Sequence, residues 1–313
     1  MSDANGMKSG SNLEKILRAG KFAVTCECGP PKGADVEHLK KKIQLIKGNT
    51  DAANVTDNQT AVVRMSSIGA SAILVQEGVE PIMQMVTRDR NRIAAQSDVF
   101  GAYALGIRNM LCLTGDHQKF GNHPMAKNVF DMDSIQLLDM MRTIRDEGKL
   151  NNGDPVEGGI EMFFGAAENP FADPFEFRVP RLAKKIAAGA NFIQTQCIYD
   201  MERFKKFMQQ ACDLGLDKKC YILAGLTPLK SAGMANYMNK RVAGITIPQP
   251  IIDRIKGVQK ESQSEEGIKI MLEQIEEVKQ MPGIAGVHVM AIEWEERVRE
   301  IVERAGMLPR PQV

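Results

Sequence analysis

Short runs of apolar and β-branched residues alternate along this chain with longer stretches whose apolar positions recur at helical spacing. Eight runs read as strands: FAVTCEC (22–28), AANVTD (52–57), PIMQMVT (81–87), NMLCLTG (109–115), EMFFGAA (161–167), FIQTQCI (192–198), YILAGLT (221–227) and GVHVMAI (286–292). Each precedes a helix-like stretch, such as VEHLKKKIQLIK after the first or ERFKKFMQQACDLG after the sixth, and several of these stop at Gly. Parallel strands joined by helical crossovers predict an α/β fold, and eight in one chain predict a closed (β/α)8 TIM barrel. An open doubly wound sheet fits less well, because no GxGxxG follows the first strand. The longest insertion, PIIDRIKGVQKESQSEEGIKIMLEQIEEVKQMPG between strands seven and eight, supplies extra helices rather than a second domain. Residues 13–313 are therefore expected to form a single (β/α)8 barrel catalytic domain, behind a loose polar segment at residues 1–12.

Charge changes this picture little. Lys and Arg number 40 against 39 Asp and Glu, so a bulk nucleic-acid or membrane-surface partner is not expected, and any bound anion must meet a local site. No apolar run approaches the roughly 18 residues of a membrane span, and MSDANGMKSGSN is unlike a secretory signal, so a cytoplasmic protein is expected. Cys26, Cys28, Cys112, Cys197, Cys212 and Cys220 form no CxxC pair or cluster run and read as buried thiols. His117 and His123 are not spaced as metal ligands with a nearby Cys or carboxylate. The 19 methionines read as core filling.

In such a barrel the chemistry belongs where the strands end. Strand one ends in Glu27, followed by Cys28, Gly29, Pro30 and Pro31. An acid held rigidly at a barrel mouth is partly desolvated, which raises its pKa toward that of a general acid at neutral pH; a structural carboxylate that binds loop amides has the same residue pattern. Strand two ends in Thr56 and Asp57, strand three in Gln84 to Thr87, and strand four in Thr114, Gly115 and Asp116. Gly115 would let a planar ligand approach the backbone, leaving Asp116 to face the cavity, although an Asp there also serves as a turn residue. Strand five ends in Ala166, Ala167, Glu168 and Asn169, small enough to leave room for a ligand. Gln196, in an apolar strand, is expected to point inward to find partners. Arg178, Arg181, Lys184 and Lys185 could hold a phosphate or form a solvated helix face.

Taken together, these strand ends resemble the methylenetetrahydrofolate reductase family over essentially residues 13–311. The segments that carry the resemblance are TCECGPP, similar to the family's Glu-x-x-Pro-Pro; NVTD; LTGD, similar to its Arg-Gly-Asp; AGANFIQTQCIYD; and GITIP after strand seven. The resemblance implies a flavin, FAD or else FMN, across the barrel mouth, and reduction of 5,10-methylenetetrahydrofolate to 5-methyltetrahydrofolate by hydride from flavin N5, a step of one-carbon metabolism. Glu27 matches the acid that protonates the leaving nitrogen. Asp116 matches the residue between flavin and pterin, and Gln196 a pterin-binding amide. Thr56, Gln84, Thr114, Gly115, Asp116, Phe130, Ala167, Asn169, Arg181, Lys184 and Lys185 fall on flavin-contacting positions, with Phe130 near the adenine and Thr56 also expected to meet substrate.

The chain departs from the family pattern at Gln84, where His is usual, at Thr114 for Arg, at Ala167 for an aromatic and at Arg178 for an acid. Trp294 stands in the eighth loop, where some members place an Arg for the folate tail, and Met238 near an aromatic that stacks the nicotinamide. NAD(P)H is thus one expected electron donor, and a partner subunit that delivers electrons is the other; an oligomer is expected. The competing reading from a different reaction class is a flavin-free pterin-binding methyltransferase barrel.

Overall fold

The computed structural model describes residues 6–242 and 244–313. Eight parallel strands close into a barrel in chain order: β1 (Ala23–Glu27), β2 (Ala52–Val55), β3 (Pro81–Val86), β4 (Asn109–Leu113), β5 (Phe163–Glu168), β6 (Phe192–Thr195), β7 (Tyr221–Leu226) and β8 (Ile284–Val289). The eight expected strands are all present, and the expected bounds overrun most where chain continues into the mouth loops, as at 290–292. The helices are α1 (Asn12–Arg18), α2 (Val36–Ile46), α3 (Ser67–Gln76), α4 (Arg92–Ala104), α5 (Ser134–Arg142), α6 (Arg178–Ala187), α7 (Met201–Asp213), α8 (Ala232–Arg241), α9 (Gln249–Lys256), α10 (Gln263–Lys279) and α11 (Val298–Arg304). The insertion before β8 supplies α9 and α10, as expected. These pack with α8 around Leu229, Ala235, Ile247, Ile252 and Ile255, and Gly267 of α10 touches the Leu229 backbone so closely that no side chain fits there. Among the described residues, no helix is long and apolar enough to cross a membrane.

The lower end of the barrel is plugged. Leu13, Ile16 and Leu17 of α1 pack on Ala23, Ala52, Ile82, Leu111, Phe163, Phe192 and Leu223, which point down the lumen from six consecutive strands and β7. Phe163 and Phe192 stack with ring centroids 5.3 Å apart, and a side chain at Gly165 would collide with the Phe192 ring, so that position admits only glycine. The carboxylate of Glu80 accepts hydrogen bonds from the first α1 amides, Asn12 N at 2.6 Å and Leu13 N at 2.9 Å, where a negative charge also complements the helix dipole. Near the C-terminus, Arg310 pairs with Asp51 at 2.6 Å and donates to the Phe22 carbonyl at 2.8 Å, tying the tail to the same end.

Of the N-terminal stretch expected to be loose, residues 1–5 lie outside the described residues, and residues 8–11 are held in place. Lys8 N and Ser9 N each donate at 2.7 Å to Glu14, which also pairs with Arg18 at 2.8 Å. Burial opposes ionisation of Glu14, but these donors hold its carboxyl below the usual range.

Candidate active site

A cavity of about 320 Å³ opens at the C-terminal ends of the strands and draws wall residues from seven of the eight. Only β7 is missing, because Gly225 has no side chain to contribute: a Cβ there would collide with the Thr195 carbonyl and lie 2.8 Å from the Met290 methyl, which fills that part of the wall.

The floor is polar. Asn54 and Gln194 exchange both amide hydrogen bonds across the lumen, Asn54 Nδ2 donating to Gln194 Oε1 at 2.6 Å and Gln194 Nε2 to Asn54 Oδ1 at 3.0 Å. Beside them, Thr25 Oγ1 and His288 Nδ1 lie 2.9 Å apart. Burial pushes the His288 pKa down to about 3, so the ring is neutral at physiological pH. Reading the period-two alternation back from Glu27 reaches Thr25, and from Gln196 reaches Gln194, which sequence reasoning passed over. Nothing local announces that they meet Asn54 and His288, since those partners come from other strands.

Above this floor stands Glu27, the last residue of β1, with Gln84, Ala167 and Gln196 in the same wall. The bond from Cys28 N to the Asn54 carbonyl (2.8 Å) holds the strand end on its neighbour, and Arg64 Nη1 braces the Pro30 carbonyl beyond it (3.1 Å). Burial raises the Glu27 pKa to about 7, and the carboxylate of Glu295 adds to the shift. Glu295 is itself buried in the loop after β8 and pairs with Lys42 of α2 at 2.8 Å. Gln196 Oε1 accepts from Cys197 N (2.9 Å), which orients its NH₂ donor.

The four cations near α6 separate. Arg178 and Arg181 line the cavity, and the Arg178 Nε is buried with no partner among the described residues. Lys185 also reaches the wall but is buried against β5, where its Nζ pairs with Glu168 at 2.6 Å and donates to the Ala167 carbonyl at 2.5 Å. Lys184 is exposed and outside the wall.

The residues of the β2 and β4 ends divide similarly. Thr56 is buried, and its Oγ1 lacks a partner among the described residues. Thr114 Oγ1 accepts from Ser134 N, the first amide of α5, at 3.1 Å. Gly115 has φ +88°, and a Cβ there would lie 2.9 Å from Val86 Cβ, so its glycine serves the turn and the packing of its own loop. Asp116 is exposed and outside the cavity wall; its carbonyl accepts from Arg88 Nη1 at 3.1 Å. Arg90, paired with Asp57 at 2.6 Å, joins the β2 and β3 ends. Phe130, at φ +41°, is partly exposed near His117. Asn169 lines the cavity with its amide engaged, Nδ2 donating to the Gly244 carbonyl (3.2 Å) and Oδ1 accepting from Phe171 N (2.9 Å). Met238 is buried in the α8–α9 cluster and presents no surface to the cavity, and Trp294 is half-buried against the main core, outside the cavity wall, with Lys230 Nζ 5.4 Å from its ring centroid.

A desolvated acid beside amides and cations, above a neutral imidazole, can bind a planar heterocycle and pass it a proton. Comparison with known proteins agrees in family. A probable methylenetetrahydrofolate reductase (NADPH) of Caenorhabditis elegans is 27% identical, covering 94% of this chain and 44% of the relative. Methylenetetrahydrofolate reductase 1 of Schizosaccharomyces pombe is 26% identical, covering 92% and 46%. The chain thus spans less than half the length of these relatives. Among solved structures, an uncharacterized protein from Clostridium thermocellum that binds two copies of 5-methyl-5,6,7,8-tetrahydrofolic acid superposes with a TM-score of 0.62 at 14% identity, covering 93% of this chain and 99% of that one, which is a likeness of fold. The profile of the methylenetetrahydrofolate reductase family matches residues 12–306, and the chain belongs to that family.

Proposed function

We propose that this chain reduces 5,10-methylenetetrahydrofolate to 5-methyltetrahydrofolate with the help of a bound flavin. The observation that carries the reading is Glu27, a carboxylic acid in the cavity wall whose pKa of about 7 lets it be both protonated and willing to give the proton up near neutrality. Family membership and the polar lining of the cavity support the choice of a pterin as substrate.

The residues present fit a flavin, FAD or FMN. Arg178 Nε, in the cavity wall, is a buried polar atom without a partner among the described residues, and an unmet buried polar group costs on the order of 1–3 kcal/mol; Thr56 Oγ1 is likewise unmet but stands outside the wall. Ala167, a small residue, leaves room in the wall beside Gln84, and Arg181 supplies charge for phosphate. Asn169 and Lys185, with polar atoms already engaged, would shape this surface rather than supply free donors, and Thr114, bonded to Ser134 N, stands outside the wall. When bound, the flavin supplies the hydride.

The chain's own residues supply the rest. Glu27 holds a proton at its carboxyl and delivers it to the nitrogen that leaves the one-carbon bridge, opening the bridge to the iminium cation. The NH₂ of Gln196 holds the pterin in register. Asp116, which the family resemblance would set between flavin and pterin, stands exposed on the β4 loop outside the cavity wall, and no step is assigned to it. Electrons arrive from NAD(P)H or from a partner subunit; the two routes differ in whether NADH alone reduces the protein.

The test is an anaerobic visible spectrum of the purified chain, followed by NADH and then methylenetetrahydrofolate. Bleaching by NADH and recovery on adding folate is the expected result for a self-sufficient reductase, and recovery only after chemical reduction assigns electron delivery to a partner. A colourless protein that takes up neither FAD nor FMN overturns the proposal in favour of a flavin-free pterin barrel.

A further inference from the structure

Behind Glu27, away from the main cavity, lies a second and smaller cavity of about 30 Å³. Among the described residues, Glu27 alone is common to the walls of both. The rear walls are polar: Lys42, Gln59, Arg64, Glu293 and Glu295. The rim carries exposed Ile292 and Glu293, so the chamber borders solvent on a side that the main cavity does not reach. A water needs roughly 10–15 Å³ and two to four polar partners, and this chamber provides both.

The chemistry of a general acid gives this arrangement a purpose. Each turnover leaves Glu27 as a carboxylate, and a ligand filling the front cavity blocks water from that side. We propose that the rear chamber is the route by which Glu27 is reprotonated, through water oriented by the Lys42–Glu295 pair. In the balanced step, one O–H bond of the chamber water breaks as the Glu27 O–H bond forms, and that water takes a proton from solvent at the rim. No electrons move. The inference rests on the reading of Glu27 as the acid in folate reduction, and it makes Lys42 and Glu295 positioning residues.

Gly29 tests it. A Cβ at this chamber residue meets nothing within 4 Å, so Gly29→Val puts bulk into the chamber without a clash at the Cβ. The chain is loaded with flavin and chemically reduced at about pH 6, where Glu27 starts protonated, and then mixed with methylenetetrahydrofolate. The first turnover is expected to change less than about twofold, whereas steady-state turnover with excess reductant falls at least about fivefold and gains a larger solvent deuterium isotope effect. Independently of activity, exchange of the Glu27 carboxyl proton into D₂O, followed by its infrared C=O band, should slow in the variant when 5-methyltetrahydrofolate fills the front cavity and not when that cavity is empty. Ile292→Trp, which stoppers the rim, should reproduce the pattern if Gly29→Val does not fold. Unchanged steady-state turnover, or equal loss in both regimes, overturns the route. Glu27→Gln separates the two ideas: if its first turnover is normal, the general-acid reading itself fails, whatever the chamber variants do.

Discussion

Asn54 and Gln194, 140 residues apart in sequence, satisfy each other's amides across the barrel at 2.6 and 3.0 Å. Both are buried in the cavity floor, and removing Gln194 leaves the Asn54 amide unmet, whereas Gln194 itself also reaches Thr25 Oγ1 at 3.3 Å. Gln194→Leu should lower stability by about 1–3 kcal/mol, read by urea denaturation. The double variant with Asn54→Leu should recover part of the loss, because two apolar groups leave no orphan. Additive losses in the cycle would show that the pair is not coupled.

Glu27→Gln should leave flavin reduction nearly intact and slow the folate half-reaction by roughly 10²–10⁴-fold. For the parent, the folate half-reaction should weaken as pH rises through about 7, where Glu27 loses its proton. The same shift acts on stability. The folded carboxyl titrates near 7 but the unfolded one near 4.5, so the unfolded chain ionises first and the folded state loses stability as pH rises between those values. Glu27→Gln removes that loss, and its advantage in melting temperature should be present above pH 7 and vanish below the unfolded value. An advantage independent of pH would contradict the shifted titration.

Glu295→Gln should move the pH limb of folate reduction downward, because the like charge near Glu27 is gone while the Lys42 cation stays. An unmoved limb would leave burial as the sole cause of the shift. Lys42→Met is a different experiment: it strands the buried Glu295 carboxylate and should cost a few kcal/mol of stability.

Arg181 and Lys185, one helical turn apart, should answer differently to removal. Arg181→Ala should weaken flavin retention, measured by equilibrium dialysis, with little change in melting. Lys185→Met leaves Glu168 buried and unpaired, and should destabilise the apoprotein by about 3–5 kcal/mol. Equal melting temperatures for the two apoproteins would mean that the buried pair contributes nothing.

The contrast between these two cations also marks the limit of what the sequence discloses. The barrel was legible because each strand is a short apolar run between helical periods, a local signal that long-range packing reinforces. Glu27 and Gln196 were legible because a polar residue at the end of such a run needs a reason. Lys185 was not separable from Arg181, since the partner that claims it, Glu168, depends on how α6 rotates against β5. Asn54, Gln194 and His288 each occupy an ordinary position on their own strand, and their network exists only once the barrel has closed. The tether at residues 8–11 was hidden for a similar reason: its donors are backbone amides, which leave no mark on composition.

The plug of α1 beneath the lumen has a kinetic consequence. With Leu13, Ile16 and Leu17 filling one end and Arg310 tying the tail beside it, reactants larger than water must enter at the other end of the barrel, where the strands finish. Two reactants that both work inside it must queue, so each should compete with the other for admission, and an excess of one should throttle the turnover of the other.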